Sequence, residues 1–96
     1  MKQPVYLYGD YKNLSASALV YTGAGTVSGV IVNSHTNGTL ILRDALTATT
    51  PLIINTFTFP TGSGSYSLFG AKFLTGLYAT VGGIADITLV FNPYQG

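Results

Sequence analysis

Residues 26–44 read TVSGVIVNSHTNGTLILRD, and this stretch decides the fold. Apolar residues recur with a period close to two on both sides of Asn37-Gly38. This period is typical of β-strands, and an Asn-Gly pair favours the positive φ angles of a tight turn. The stretch therefore predicts two strands, 26–33 and 39–44, joined as a β-hairpin.

The pattern returns near the C-terminus, where residues 77–92 read LYATVGGIADITLVFN. Ile87, Leu89 and Phe91 fall on one face of a strand, and the residues between them fall on the other face. Gly82-Gly83 interrupts the pattern and resembles a turn. A second hairpin is expected here.

Four shorter apolar segments also have the period of strands, and no stretch of the chain has helical spacing. These segments are residues 5–8, 17–21, 52–59 and 66–69, whereas residues 10–13 are typical of a turn.

Seven to eight short strands separated by turns predict an all-β fold, an antiparallel two-sheet sandwich or jelly roll with an N-terminal arm. We assign residues 1–16 to an N-terminal arm or edge strand. Residues 17–96 form the single β-sandwich domain of this interpretation.

The chain carries few charges for its length. Only seven of its 96 residues are charged, the formal net charge is +1, and 47% of the residues are hydrophobic. The four basic residues are scattered, which gives no reason to expect nucleic acid as a partner. No apolar run approaches the roughly 18 residues of a membrane span. The surface must therefore consist of neutral polar groups or be covered by other subunits.

Cysteine is absent, so the chain has neither disulfides nor thiolate metal ligands. The only acidic residues, Asp10, Asp44 and Asp86, lie near expected turns, where aspartate commonly accepts hydrogen bonds from local backbone N–H groups. We expect no metal site and no cofactor.

His35 is the only histidine, and we interpret it as an exposed turn residue. A Ser–His–Asp set can be written with Ser34 or Ser67 and with Asp44. However, adjacent residues at a strand end point apart, and the chain has no GxSxG motif. We expect no enzymatic activity.

Aromatic residues cluster near the N-terminus. We predict a contact arm that adds a strand to the sheet edge of a neighbouring subunit. Alternatively, these tyrosines cap the core of their own domain, because aromatic enrichment does not separate core from interface. The predicted partner-binding residues are Val5, Tyr6, Leu7, Tyr8 and Tyr11.

Two stretches, GVIVNSHTNGTLILRD at 29–44 and TGLYATVGGIADITL at 75–89, occur in the same chain as NTFT at 55–58. This order resembles small all-β proteins encoded by tailed bacteriophages. The resemblance covers about residues 25–92 and consists of strands and turns.

The resemblance implies a virion structural protein without enzymatic activity. The favoured role is a capsid decoration, or cement, protein that binds the major capsid protein or another virion protein as a homo-oligomer, with a trimer favoured. Such a protein is made in the host cytoplasm and ends on the capsid surface. The alternatives are a tail, fibre or head-to-tail connection component, or a carbohydrate- or receptor-binding β-sandwich module that stacks Tyr66, Tyr78 or Tyr94 on a sugar.

Overall fold

The computed structural model describes residues 10–94. This part of the chain contains six strands and no helix, and all strand pairs are antiparallel within one hydrogen-bonded sheet. The predicted antiparallel all-β fold is confirmed, whereas the predicted seven to eight strands are six in the described part. The strands are β1 (Asp10–Leu14), β2 (Ala18–Thr22), β3 (Gly25–Arg43), β4 (Leu52–Thr58), β5 (Gly64–Phe73) and β6 (Gly76–Pro93).

Two long strands form the centre of the sheet. β3 and β6 pair along almost their whole length, from Gly25 opposite Pro93 to Arg43 opposite Tyr78. Each long strand is flanked by two short ones, because β1 and β2 pair with β6, and β5 and β4 pair with β3. In what we call the first half of the sheet the order is β1-β6-β3-β5, and in the second half it is β2-β6-β3-β4.

Neither predicted hairpin is present. Residues 26–33 and 39–44 do not pair with each other, because both belong to β3 and pair with β6. The segments on either side of Gly82-Gly83 likewise belong to one strand. The alternating pattern identifies a strand but not its partner, and the positive φ that suits a turn also suits a β-bulge.

Asn37-Gly38 forms such a bulge. Thr36 lies opposite Ile84 and Thr39 lies opposite Gly82, so that two residues of β3 face the single residue Gly83. Asn37 has a φ of 52° and Gly83 a φ of 69°. Two other one-residue bulges on β3 follow Val27 and Val32. Bulges bend the strand that carries them and increase its twist, so β3 curves against β6.

The end of β4 supports the bulge through His35. The imidazole Nε2–H of His35 donates a hydrogen bond to the carbonyl of Pro60 at 2.6 Å, and Nδ1 accepts one from the N–H of Gly38 at 3.0 Å. The ring also meets Phe59 edge-on, with 5.4 Å between centroids. The prediction of an exposed turn histidine is wrong, because His35 is half-buried within β3.

Strand β1 replaces the turn that was predicted at residues 10–13. Its residues pair with β6 from Asp10 opposite Phe91 to Leu14 opposite Ile87. Of its five side chains only Leu14 is buried. An edge strand with one buried residue has no hydrophobic alternation, which is why the sequence pattern indicated a turn at residues 10–13.

Apolar side chains of the long strands form the core. They alternate along β3 and β6, as expected for strands with one buried face. Phe73, near the end of β5, is also fully buried. The largest fully buried side chains are Phe73, Leu40, Leu42, Leu77, Ile87, Leu89, Val27, Val30 and Val32.

Aromatic contacts join the two halves of the sheet. Tyr21 of the second half lies 5.7 Å from Phe91 and 6.3 Å from Phe73 of the first half, measured between ring centroids. On the other side, Phe57 of β4 meets Tyr66 of β5 at 5.3 Å in a T-shaped arrangement. The halves therefore share one core, and the sheet has to bend between them.

Asp44 stabilises the connection between β5 and β6. One carboxylate oxygen accepts hydrogen bonds from the backbone N–H groups of Leu74, Thr75 and Gly76, at 2.9, 2.8 and 3.4 Å. Partial burial alone would raise the pKa of Asp44, but the three N–H donors outweigh it and hold this pKa below its ordinary value.

We predict that Gly83→Ala destabilises the fold more than Gly70→Ala does. Both glycines have nearly the same positive φ, 69° and 66°, but only Gly83 lacks space, since its Cβ would clash with the carbonyl oxygen of Asn37. The backbone penalty alone is about 1 kcal/mol, whereas the added clash brings Gly83→Ala to about 3 kcal/mol. Urea denaturation measures both, and equal losses would contradict the role of the bulge.

We also predict that Asp44 makes the stability of the fold depend on pH in the acid range. Because the folded pKa of Asp44 lies below its unfolded value of about 3.9, its stabilisation is present above that pH and is lost as the pH falls through the folded pKa. We expect Asp44→Asn to be less stable by about 1–2 kcal/mol at pH 7 and to lose less stability than the wild type on acidification. Denaturation between pH 2 and 7 checks this, and an acid dependence of Asp44→Asn equal to that of the wild type would contradict it.

Candidate interaction surface

The predicted partner-binding residues fall in two groups. Val5, Tyr6, Leu7 and Tyr8 lie outside the described residues. Tyr11 lies in the edge strand β1, opposite Val90, and its side chain is 66% exposed. Tyr11 is therefore available for contact.

A surface groove lies where β4 and β5 approach each other, at the junction of the two halves. Its volume is about 520 Å³. The half-buried rings of Phe57 and Tyr66 meet there. The residues around the groove are Ile54, Asn55, Thr56, Phe57, Ser65, Tyr66, Ser67, Leu68 and Phe69, and none of them is charged.

Both strands beside the groove have a free edge. In residues 10–94, β4 and β5 each pair only with β3, so neither has a hydrogen-bonded partner on its other side. Unpaired backbone N–H and C=O groups on such an edge can pair with another chain. Apolar side chains beside free strand edges can therefore bind an extended peptide segment.

Phe69 is the most exposed large hydrophobic residue in the described part, at 91%. Ser67 lies opposite Gly29 and Ala71 opposite Val27, so residues 68–70 bulge outward against Ser28. The N–H of Phe69 donates a hydrogen bond to the hydroxyl of Ser67 at 3.1 Å, and Phe69 has a φ of 58°.

This conformation is costly for a bulky side chain, since residues other than glycine rarely adopt a positive φ. Strained residues of this kind cluster at sites of binding or catalysis. Phe69 makes the rim of the groove apolar.

The other large exposed apolar residues of the described part lie outside the groove. Ile84 beside the bulge is 73% exposed, and Leu74 in the β5–β6 connection is 66% exposed. Single exposed hydrophobic residues are normal on a protein surface. Phe69 differs from them because it lies beside a groove and two free strand edges.

His35 and Asp44, the histidine and the aspartate of the hypothetical Ser–His–Asp set, form hydrogen bonds in separate parts of the fold. His35 uses both ring nitrogens for backbone groups near the bulge, and Asp44 bonds to the β5–β6 connection. Asp86 accepts a hydrogen bond from the side-chain amide of Asn33 at 2.9 Å. No group of three or more potential metal-ligating residues occurs among residues 10–94.

The three tyrosines considered for sugar stacking lie in different surroundings. Tyr66 packs against Phe57 in the groove, Tyr78 is half-buried opposite Arg43, and Tyr94 is exposed after the end of β6. Only Tyr66 belongs to the groove. In the described part of the chain, no helix has the length and apolarity that crossing a bilayer requires.

Sequence reasoning missed both Phe69 and the groove. Residues 66–69 read as a strand and Gly70 as the start of a bend, which placed Phe69 in a regular strand. The available signal was an aromatic residue immediately before a glycine, a combination that can mark a bulge. The groove lies between β4 and β5, and the sequence of neither strand shows that the two lie close together.

Comparison with known proteins gives no relative: no family, no curated protein and no solved structure matches this chain.

We predict that Phe69 contributes little to folding. Phe69→Ala should change the free energy of unfolding by no more than about 0.5 kcal/mol, because an exposed side chain loses few contacts. Phe73→Ala, four residues further along the same strand, should cost about 3–5 kcal/mol since Phe73 is fully buried. Urea denaturation compares the two. A large loss for Phe69→Ala would mean that its side chain supports the fold.

Proposed function

We propose that this chain is a structural protein of a tailed bacteriophage virion, a capsid decoration protein that binds the shell as a small homo-oligomer, with a trimer favoured. In the proposed architecture the two halves of the bent sheet are the two layers of a sandwich, and the N-terminal segment is the contact arm. The protein has no enzymatic activity in this proposal.

The observation that carries the proposal is an uncharged groove with an exposed aromatic rim in a domain that has few charges anywhere. Thr, Ser, Asn and aromatic side chains cost less to bury than ions do, because an ion loses far more hydration. Such a surface suits permanent contact with other protein subunits.

Repetition gives this contact its strength. A capsid presents many equivalent sites, and an oligomer that engages several of them gains avidity beyond the affinity of each contact. The mechanism is adhesive, because neutral surfaces are buried at repeated positions. Binding to the assembled shell stabilises it relative to a shell that has come apart. The resemblance of residues 25–92 to small phage proteins supports a place on the virion.

The groove also supports a second candidate function. Tyr66 and Phe69 offer aromatic surface, and Asn55, Ser65 and Ser67 offer hydrogen-bonding groups, which is the combination that a neutral sugar would need. A glycan-binding module of a tail or fibre is therefore the alternative. The volume of the groove, about 520 Å³, lies within the usual range of ~300–1,000 Å³ for small-ligand sites.

Shell binding distinguishes the two functions. Purified full-length protein should bind emptied capsids of the phage that encodes it, prepared from a deletion of its own gene, with saturating stoichiometry in a sedimentation assay. Binding to host-surface glycans without binding to shells would contradict the decoration function and favour the alternative.

Removal of the arm is the next test. A chain that lacks residues 1–9 keeps every described strand, so its circular dichroism and stability should be unchanged. Its affinity for shells should fall at least tenfold, a loss of about 1.4 kcal/mol. The control is Lys2→Ala, which removes the only charged side chain from that segment and should bind normally. Unchanged docking of the truncated chain would contradict the arm assignment.

A further inference from the structure

We infer that the groove between β4 and β5 is the receptor for residues 4–8 of a second copy of this chain, which add as a strand to the free edge of β5. This inference rests on the proposed arm and names the surface that receives it. Each copy would then give its arm to one neighbour and accept an arm from another.

The groove and residues 4–8 match each other chemically. Residues 4–8 read PVYLY and carry no charge, and the groove residues carry none either. Val5 and Leu7 alternate with Tyr6 and Tyr8, so in a strand the aliphatic pair and the tyrosine pair face opposite sides. Val5 and Leu7 can cover the half-buried rings in the groove, which leaves Tyr6 and Tyr8 on the opposite face of the added strand.

Residues 4–8 also match the free edge of β5 in length. Five residues of extended strand span about 17 Å, which is the length of β5 from Gly64 to Leu68, before the bulge interrupts its edge. Proline at the start of an added strand is compatible with this arrangement, because its missing N–H need not take part in the pairing.

The position of β1 favours a neighbouring copy over the same chain as the acceptor. β1 and β5 lie at opposite edges of the first half, three strand spacings or about 14 Å apart. A neighbouring copy is the simpler acceptor.

The free edges of β1 and β5 differ in charge. β1 has charged residues on its edge, Asp10 and Lys12, which is a common way to prevent edge-to-edge pairing. β5 has no charged residue before Lys72, and Phe69 lies at its bulge. The edge of β5 thus lacks the protection that β1 has.

Cross-linking tests the arrangement directly, since the wild-type chain has no cysteine. Tyr6→Cys chains are mixed with affinity-tagged Ser67→Cys chains of full length and treated with a short bismaleimide, which tolerates small differences in register. The control acceptor is Ser15→Cys, at an exposed position between β1 and β2 on the opposite edge of the sheet. We expect at least tenfold more mixed dimer with Ser67→Cys than with Ser15→Cys.

Two results would overturn the inference. Equal yields with both acceptors would mean that contact is unspecific. Efficient closure within one chain of the Tyr6→Cys/Ser67→Cys double variant, as a monomer, would mean that each arm occupies its own groove.

Self-association gives an independent readout. In sedimentation equilibrium of the full chain, Phe69→Ala should weaken association at least tenfold, whereas Ile84→Ala, which removes another exposed apolar side chain away from the groove, should not. Equal effects, or a wild type that stays monomeric at all concentrations, would contradict the inference.

Failure of this inference differs from failure of the decoration function. Specific cross-linking without binding to shells would support the groove as the receptor for the arm and contradict the decoration function. Shell binding without specific cross-linking would support the decoration function and contradict the receptor.

Discussion

The bulge at which β3 and β6 bend together is the constraint on which the rest of the structure depends. Asn37 and Gly83 lie opposite each other with positive φ angles, and a side chain at Gly83 would have no space beside the carbonyl of Asn37. Because two central strands run through both halves of the sheet, they have to bend at the same level for Tyr21 to reach Phe91. His35 then connects the bend to the end of β4.

The groove between β4 and β5 is a consequence of this bend. β4 and β5 both pair with β3, but with different halves of it, so in a flat sheet they would follow one another along the same side. Bending brings Phe57 and Tyr66 into contact and leaves a groove between two free edges. The same β3 also carries Ser28, against which the β5 bulge projects Phe69. One curved strand thus positions the groove and its aromatic rim.

Low charge acquires a more specific meaning in this arrangement. Free strand edges promote aggregation unless they are protected or covered, and the edge of β5 carries no charged residue before Lys72. Exchange of arms between copies would cover one such edge in a defined way, and a repeated lattice would limit how far the association proceeds. The uncharged groove and the scarcity of charge are the features that support the proposed assembly.

The sequence by itself determined the fold class and most strand positions, because alternation with a period of two is a local property of residues such as Leu40 and Leu42 or Ile87 and Leu89. It also identified Asn37-Gly38 and Gly82-Gly83 as irregular positions. Only the tertiary structure decided that these are bends within two long strands and not the turns of two hairpins, since a strand's pattern does not specify its partner. The position of Phe69 beside the groove was likewise decided in three dimensions, because it depends on which segments of β4 and β5 meet.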